Sequence, residues 1–486
     1  MDILNKKISK KEERPVKVIQ FGEGNFLRAF ADHMIDIANE KGCFDGDIVI
    51  VKPREGSLET FRRQECQYTV CMRGITEGKA QKTGRIVTAV SDAVESVSEY
   101  DRFMNLAKLD SIRFVISNTT EAGIVYEPSD HFEMKPPVSF PGKLCKFLYE
   151  RWKAFDGAVD KGLIMLPTEL IDENGKRLKE CVLRLAKDWN LGASFETWIE
   201  EACIFASTLV DRIVSGFPAE EVPELFEELG YRDELLVTGE PFGLWVIESN
   251  RDFREEFALD KAGLPVLYTN DLKPYKNRKV RILNGAHTSF VLASYLSGKN
   301  IVLESMQDGT TNAFIRKTIY EEVIPTLDLP GSELSDFAEA VFTRFQNPYV
   351  KHALLAISMN SVSKWRARCL PSLVAYYEKY GKIPSCLAFS IAALMAFYTG
   401  SEICEGVLIG HRLDEEYPIR DDVQVLEFFA QQSGKTPEEY ARAVLCNASF
   451  WGRDLTEIPD LLTVVADYLR MIRECGTSAC MKGIVE

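Results

Sequence analysis

Histidine is scarce in this chain, and its cysteines are badly spaced for holding a metal. Five histidines are scattered over 486 residues, and none of the twelve cysteines forms a C-x-x-C pair; the nearest are Cys66/Cys71 and Cys475/Cys480. Zinc sites draw on closely paired Cys and His ligands, so no metal is expected. No run approaches the roughly 18 apolar residues of a membrane span. The opening Met1-Asp2-Ile3-Leu4-Asn5-Lys6-Lys7 lacks the apolar core of a secretory signal. Reduced thiols in a cytoplasmic protein with no membrane partner are the expectation. Positive charge is also short: a net charge of −15 argues against nucleic acid as a partner. A small anionic substrate would then have to be drawn in by locally placed Lys and Arg. There is no internal repeat and no low-complexity tract.

A hydrophobic share of 46% with 27% charged residues is ordinary for a globular protein, and 486 residues make two domains the default. Strands alternate with helices over 16–270, which implies an open, largely parallel sheet. Val16-Lys17-Val18-Ile19-Gln20-Phe21 is a short apolar strand. It runs into Gly22-Glu23-Gly24-Asn25-Phe26-Leu27-Arg28-Ala29 and then an amphipathic helix through Met34, Ile35 and Ala38. Strand, glycine-rich turn and helix is the context a dinucleotide site requires. Gly22 permits the tight turn and Gly24 lets backbone approach a pyrophosphate. The third glycine of G-x-G-x-x-G is replaced by Leu27, so a plain β-turn-α crossover stays open. The next strand, Asp47–Val51, ends in Lys52-Pro53-Arg54-Glu55. Glu55 suits a ribose hydroxyl, whereas Lys52 or Arg54 suits a 2′-phosphate. Arg113–Ser117 opens into Asn118 and Thr119, at the carboxyl end of a buried strand where ligands bind in such folds. Asp211-Arg212, inside an apolar run, is costly unless paired or functional.

Past Lys273 the strand signals fade and helical periodicity takes over, as in Leu334–Phe345, His352–Trp365, Leu387–Tyr398 and Leu461–Ile472. Domains of 1–270 and 271–486 follow, the second all-helical apart from a loop over 401–421. Lys279-Val280-Arg281-Ile282-Leu283-Asn284-Gly285-Ala286-His287 opens it, near a domain junction, where substrate sites concentrate. On an α-helix Asn284 and His287 share a face, and Lys279 lies about 140° from the first and about 80° from the second. Apolar Ile282, Leu283, Ala286 and Phe290 would half-bury the group, and a desolvated lysine moves towards the range of a general acid or base. Arg344, Lys351, His352, Lys364, Arg366 and Arg368 are candidates for an anionic group, against the plainer reading of solvated helix faces.

These motifs in this order resemble the long-chain polyol-specific dehydrogenases, the mannitol dehydrogenase family. The matching residues are Gly22-x-Gly24-x-Phe26-x-Arg28, Val210-Asp211-Arg212-Ile213, Lys279 with Asn284-Gly285-x-His287, and Arg344-Phe345-x-Asn347-Pro348. The resemblance runs from about residue 16 to about 470. It implies a Rossmann-type, mostly parallel N-terminal domain for NAD, followed by the helical substrate domain, with no metal. It places residues 18–29, Glu55, Asn118, Thr119 and Asp211 on the cofactor side. It makes Lys279 the acid/base, Asn284 an oxyanion donor and His287 a substrate holder. A second oxyanion asparagine falls nearest Leu170 by spacing; Asn174 is the nearest asparagine and is carried as a catalytic candidate. Arg344, Lys351, His352 and Lys364 would hold the carboxylate of a small sugar-acid substrate. A fructuronate (mannonate) reductase or a polyol dehydrogenase on the same scaffold, and more distantly a non-catalytic NAD-binding sensor, are the alternatives. The oligomeric state is not legible, since one sequence does not mark which apolar faces stay exposed.

Overall fold

The computed structural model describes every residue except Glu77, Glu121 and Asp414. Its contacts divide the chain into two units, Met1–Leu272 and Lys273–Glu486.

The first unit is built on six strands: β1 (Val16–Phe21), β2 (Asp47–Lys52), β3 (Val90–Glu95), β4 (Phe114–Ser117), β5 (Ile164–Pro167) and β6 (Ile204–Phe205). They lie in the order β3-β2-β1-β4-β5-β6, and every neighbouring pair is parallel. Parallel strands covered on both faces read as continuous apolar runs, which is why VKVIQF and DIVIVK show little alternation. Successive residues feed opposite cores. Val18, Ile48, Ile50, Ile116 and Leu166 pack on one side, with Met34, Ile35 and Ala38 of the helical stretch 25–40. Ile19, Phe21, Val49, Val51 and Met165 pack on the other, with Leu144 and Phe147 of Phe140–Ala154 and Leu178 and Val182 of Asn174–Asp188. This is a doubly wound sheet. Its strand order reverses between β1 and β4, and in such folds the crevice beyond the carboxyl ends at the reversal is where nucleotides bind.

Two departures from the sequence reading stand out. Tyr68–Thr76 and Lys79–Val87 form an antiparallel hairpin in a separate four-stranded sheet with Val214–Gly216 and Val237–Gly239. Ser207–Asp211, Leu244–Glu248 and Val266–Thr269 make a third, mixed sheet. The largely parallel sheet is therefore only the core of the unit. Its third strand, β3, escaped the apolar-run signal because Ser91 and Asp92 interrupt it.

The second unit is helical. Gly285–Leu296 and Ser385–Phe397 are buried nearly all round, as helices apolar on every side must be. The stretch read as one helix over 352–365 is two, Leu354–Ser358 and Ser361–Arg368, broken at Asn360, which takes the left-handed conformation (φ 55°) that asparagine tolerates. Residues 401–421, read as a loop, carry three short antiparallel strands, Ile403–Cys404, Val407–Arg412 and Glu415–Ile419, seated on buried Leu408, Tyr417 and Ile419. Among the described residues no helix is long and apolar enough to cross a membrane. The twelve cysteines are unpaired.

Candidate active site

At the strand reversal of the first unit a cleft of about 550 Å³ opens, lined by Gly22, Glu23, Gly24, Lys52, Arg54, Glu55, Asn118 and Thr119 among others. Gly22 has φ +120°, and a Cβ there would sit 3.0 Å from the Asn118 carbonyl oxygen, so the turn needs glycine. A Cβ on Gly24 would meet nothing within 4 Å and would project into open space at the start of the helical stretch. A bare backbone facing open space at a helix start suits a pyrophosphate, so these residues fit a dinucleotide. Buried Glu169, which the sequence reading missed, fixes the opposite wall: its carboxylate accepts from the Thr119 N–H and hydroxyl, both at 2.9 Å, and from Ser117 Oγ at 3.1 Å. Asn118 donates to Thr168 Oγ1 at 3.0 Å.

Several residues placed on the cofactor side lie elsewhere. Val18, Ile19 and Phe21 are core residues of β1. Gln20 sits beneath the turn and donates to the Gly22 carbonyl (3.1 Å) and to Asp32 (3.3 Å). Tyr68 also donates to Asp32, at 2.5 Å, and burial lifts that carboxyl to about 7. Arg28 turns inward, donating to the Glu23 and Leu235 carbonyls and to Asn25 Oδ1, and serves as a tie rather than a wall of the cleft. Phe26, Leu27 and Ala29 face the core. Asp211 is buried at the end of Ser207–Asp211, outside the cleft lining, and Arg212 is spent on the Ala29 and Phe242 carbonyls.

In the second unit, the helical run from Lys273 to Leu296 changes winding where the sequence drew attention. Lys273–Arg278 is α, Lys279–Asn284 is π and Gly285–Leu296 is α again. In π geometry residues five apart are hydrogen-bonded neighbours, so Asn284 follows Lys279 on one face instead of lying about 140° away. Arg281, within this segment, donates to Ser372 Oγ and Thr326 Oγ1 and so pins it to its neighbours. Lys279 and Asn284 are half-buried. The Asn284 amide has no partner among the described residues and remains available as a donor.

His287 is buried one turn further on, its ring stacked on Phe345 at 4.2 Å and set edge-on to His352 at 5.2 Å. Its Nε2 is buried without a hydrogen-bond partner among the described residues. Burial first, then His352, Arg344, Arg368 and Lys364, hold the imidazole well below its ordinary range, so it is neutral near pH 7. Arg344 comes from the last turn of Gly331–Phe345. Lys364 and Arg368 come from the helix after the Asn360 break; Lys364 donates to the Ile357 carbonyl at 2.9 Å and Arg368 to Thr288 Oγ1 at 3.3 Å. Burial lowers both cations, and Arg368 lowers Lys364 further. Three cationic side chains, Arg344, Lys364 and Arg368, thus act on one neutral imidazole, beside His352, whose own pKa burial lowers. Exposed Lys351 is not part of this group, and Arg366 lies over Gly452.

The model of the mannitol dehydrogenase Rossmann domain matches residues 16–261, and that of the mannitol dehydrogenase C-terminal domain matches residues 271–473. This chain belongs to the mannitol dehydrogenase family. One relative, the altronate oxidoreductase of Pectobacterium carotovorum subsp. carotovorum (strain PC1), is 44% identical over 491 residues, covering 99% of this chain and 100% of its own. A substrate-free D-sorbitol dehydrogenase has the same fold, with TM-score 0.79 at 22% identity over 99% of this chain and 100% of that one. The Pseudomonas fluorescens mannitol 2-dehydrogenase, in ternary complex with NAD and D-mannitol, gives 0.68 at 21% identity over 100% and 99%.

For a mannitol dehydrogenase family member, Asn174 is the residue whose expected role the structure does not accommodate. It is 1% exposed, at the first position of the helix Asn174–Asp188. Its Nδ2 donates to the Pro167, Glu169 and Thr208 carbonyls at 3.0–3.1 Å, and its Oδ1 accepts from the Gly175 and Thr208 N–H groups. With both N–H groups spent on backbone, none is left for a substrate oxygen. Leu170, at the family spacing, is 62% exposed and has no donor to offer.

Proposed function

We propose that this chain is an NAD-dependent oxidoreductase that interconverts D-tagaturonate and D-altronate by hydride transfer at the keto carbon, with Lys279 as acid/base. The carrying observation is the collection of Arg344, His352, Lys364 and Arg368 around buried His287 in a chain of net charge −15. Guanidinium and ammonium groups gathered in this way suit a carboxylate ligand. A uronate brings a carboxylate where a polyol brings a hydroxyl, and the 44% identical altronate oxidoreductase supports a sugar acid of this kind.

Gly22, Gly24, Asn118 and Thr119 would hold NAD, which would supply a nicotinamide able to accept hydride in oxidation and give it in reduction. In reduction, Lys279 donates its proton to the oxygen as the carbonyl carbon becomes tetrahedral; in oxidation its neutral amine accepts the hydroxyl proton. Asn284 donates to the same oxygen while negative charge develops there. His287, held neutral, hydrogen-bonds a sugar hydroxyl without adding a cation, and the surrounding Arg and Lys groups orient the carboxylate. The unpaired thiols suit a reducing, cytoplasmic setting.

The test follows NADH absorbance with purified protein and D-tagaturonate, beside D-fructuronate and D-fructose. Rapid loss with D-tagaturonate alone supports the full reading. Loss mainly with D-fructuronate keeps the sugar-acid site and changes its stereochemistry; loss mainly with D-fructose removes the role given to the cations. No loss with any of them, and none with NADPH, returns the weight to a non-catalytic binder.

A further inference from the structure

In a doubly wound nucleotide domain the end of the second strand meets the adenosine ribose, and an acidic residue there commonly takes the 2′-hydroxyl. Here β2 ends on a cation, Lys52, and its ammonium is bound to Glu23, the middle residue of the glycine turn. The two side chains are 16% and 27% exposed and both line the cleft, so the pair is partly shielded from water. Gly56 packs behind the lysine: a Cβ there would fall 2.7 Å from Lys52 Cε. The ammonium is therefore confined to the Glu23 side. Within this rim of the cleft, Lys52 and Arg54 stand against Glu23 and Glu55. Glu127 adds a third carboxylate to the cleft lining, so carboxylates outnumber cations there, and the one nearest Lys52 is built into the turn itself.

We propose that the Glu23–Lys52 ion pair sets the cofactor preference of this cleft by taking Lys52 away from any 2′-phosphate. The inference rests on reading the cleft as the nucleotide site. A 2′-phosphate arriving at the strand end meets a lysine already neutralised and a carboxylate beside it, whereas a 2′-hydroxyl meets no such penalty. Glu23 is thus a specificity-determining residue that works against the wrong ligand.

Equilibrium titrations of the full-length protein with NADH, NADPH, 5′-AMP and 2′,5′-ADP test this without turnover. Wild-type protein should favour NADH and 5′-AMP. In Glu23→Gln the NADPH-to-NADH ratio of Kd values should move about tenfold in favour of NADPH, with the same direction for 2′,5′-ADP against 5′-AMP. Lys52→Gln, which leaves Glu23 without its cation, should move both ratios the opposite way. The double variant Glu23→Gln/Lys52→Gln should lose the gain. A ratio unmoved in a Glu23→Gln protein of near-wild-type Tm overturns the proposal, as does a gain that survives in the double variant, which would place the effect on Arg54. If Glu23→Gln does not fold, the Lys52→Gln shift decides alone, and no shift overturns the proposal. Wild-type protein that binds none of the four probes overturns the nucleotide reading and this inference with it; binding of NADH with insensitive ratios overturns the inference only.

Discussion

The two candidate ligand-binding regions arrange positive charge differently. In the cleft of the first unit the cations are answered: Lys52 by Glu23, with Arg54 and Glu55 beside them. In the second unit Arg344, His352, Lys364 and Arg368 all act against protonation of one buried histidine. A dinucleotide is long and can be held by backbone geometry at a glycine turn and strand ends, so its site needs little net charge. A small sugar acid offers few atoms, and its carboxylate is the strongest handle it has. Cations gathered on one small volume give such a carboxylate something to bind, which makes the charge arrangement a statement about the ligand.

That contrast can be broken most severely at Lys279. Lys279→Ala should lower kcat about 10³-fold while NADH still binds, measured by single-turnover kinetics and fluorescence titration; unchanged turnover would remove the acid/base role. Next come the two asparagines. Asn284→Ala should lower kcat about 10²-fold, whereas Asn174→Ala should cost about 2 kcal/mol or more in denaturant unfolding and leave turnover per folded molecule intact. Equal behaviour of the two would dissolve the distinction between a free amide and a spent one. For the cation cluster, Arg344→Met should reduce kcat/KM for the keto acid by roughly 30-fold and hardly affect reduction of an uncharged ketose. A matching loss on both substrates would mean that Arg344 supports the fold and does not read the carboxylate.

The smallest effect concerns acid stability. The folded-state pKa of His287 is depressed, so as pH falls through about 6.5 the unfolded chain binds a proton that the folded chain refuses. Stability from this residue is complete above that pH and lost below it, by about 1.4 kcal/mol per pH unit. Between pH 7.5 and pH 5, wild-type protein should lose about 2 kcal/mol more than His287→Gln, read from unfolding curves at each pH. Buried His33, held down to about 3, is present in both proteins and cancels. Parallel pH profiles would show that the imidazole takes up its proton in the folded state.

Much of this was legible in the chain because buried parallel strands leave a plain mark. VKVIQF and DIVIVK, the turn after them, and the change to helical periodicity past Lys273 gave the doubly wound domain and the helical one. Strand β3 was not legible, since it lies at the sheet's edge, where exposed Ser91 and half-buried Asp92 break the apolar run. In the candidate site, residue types and spacing named Lys279, Asn284 and His287, but six basic residues competed for the carboxylate. Only folding separates Arg344, His352, Lys364 and Arg368 from exposed Lys351 and from Arg366, because the break at Asn360 aims one end of a helix at His287. Asn174 shows the reverse limit: an amide reads the same in sequence whether its N–H groups are free or spent on carbonyls.

The π segment Lys279–Asn284 makes this region sensitive to length rather than to composition. Losing one residue between Lys279 and Asn284 would let the run wind as an ordinary α-helix with the two groups four apart, still neighbours on one face. Losing one residue from the α-helix that follows, between Asn284 and His287, meets no wide turn to absorb it and would swing the imidazole by about 100° relative to the amide. A single-codon deletion is therefore tolerable on one side of Asn284 and disruptive on the other.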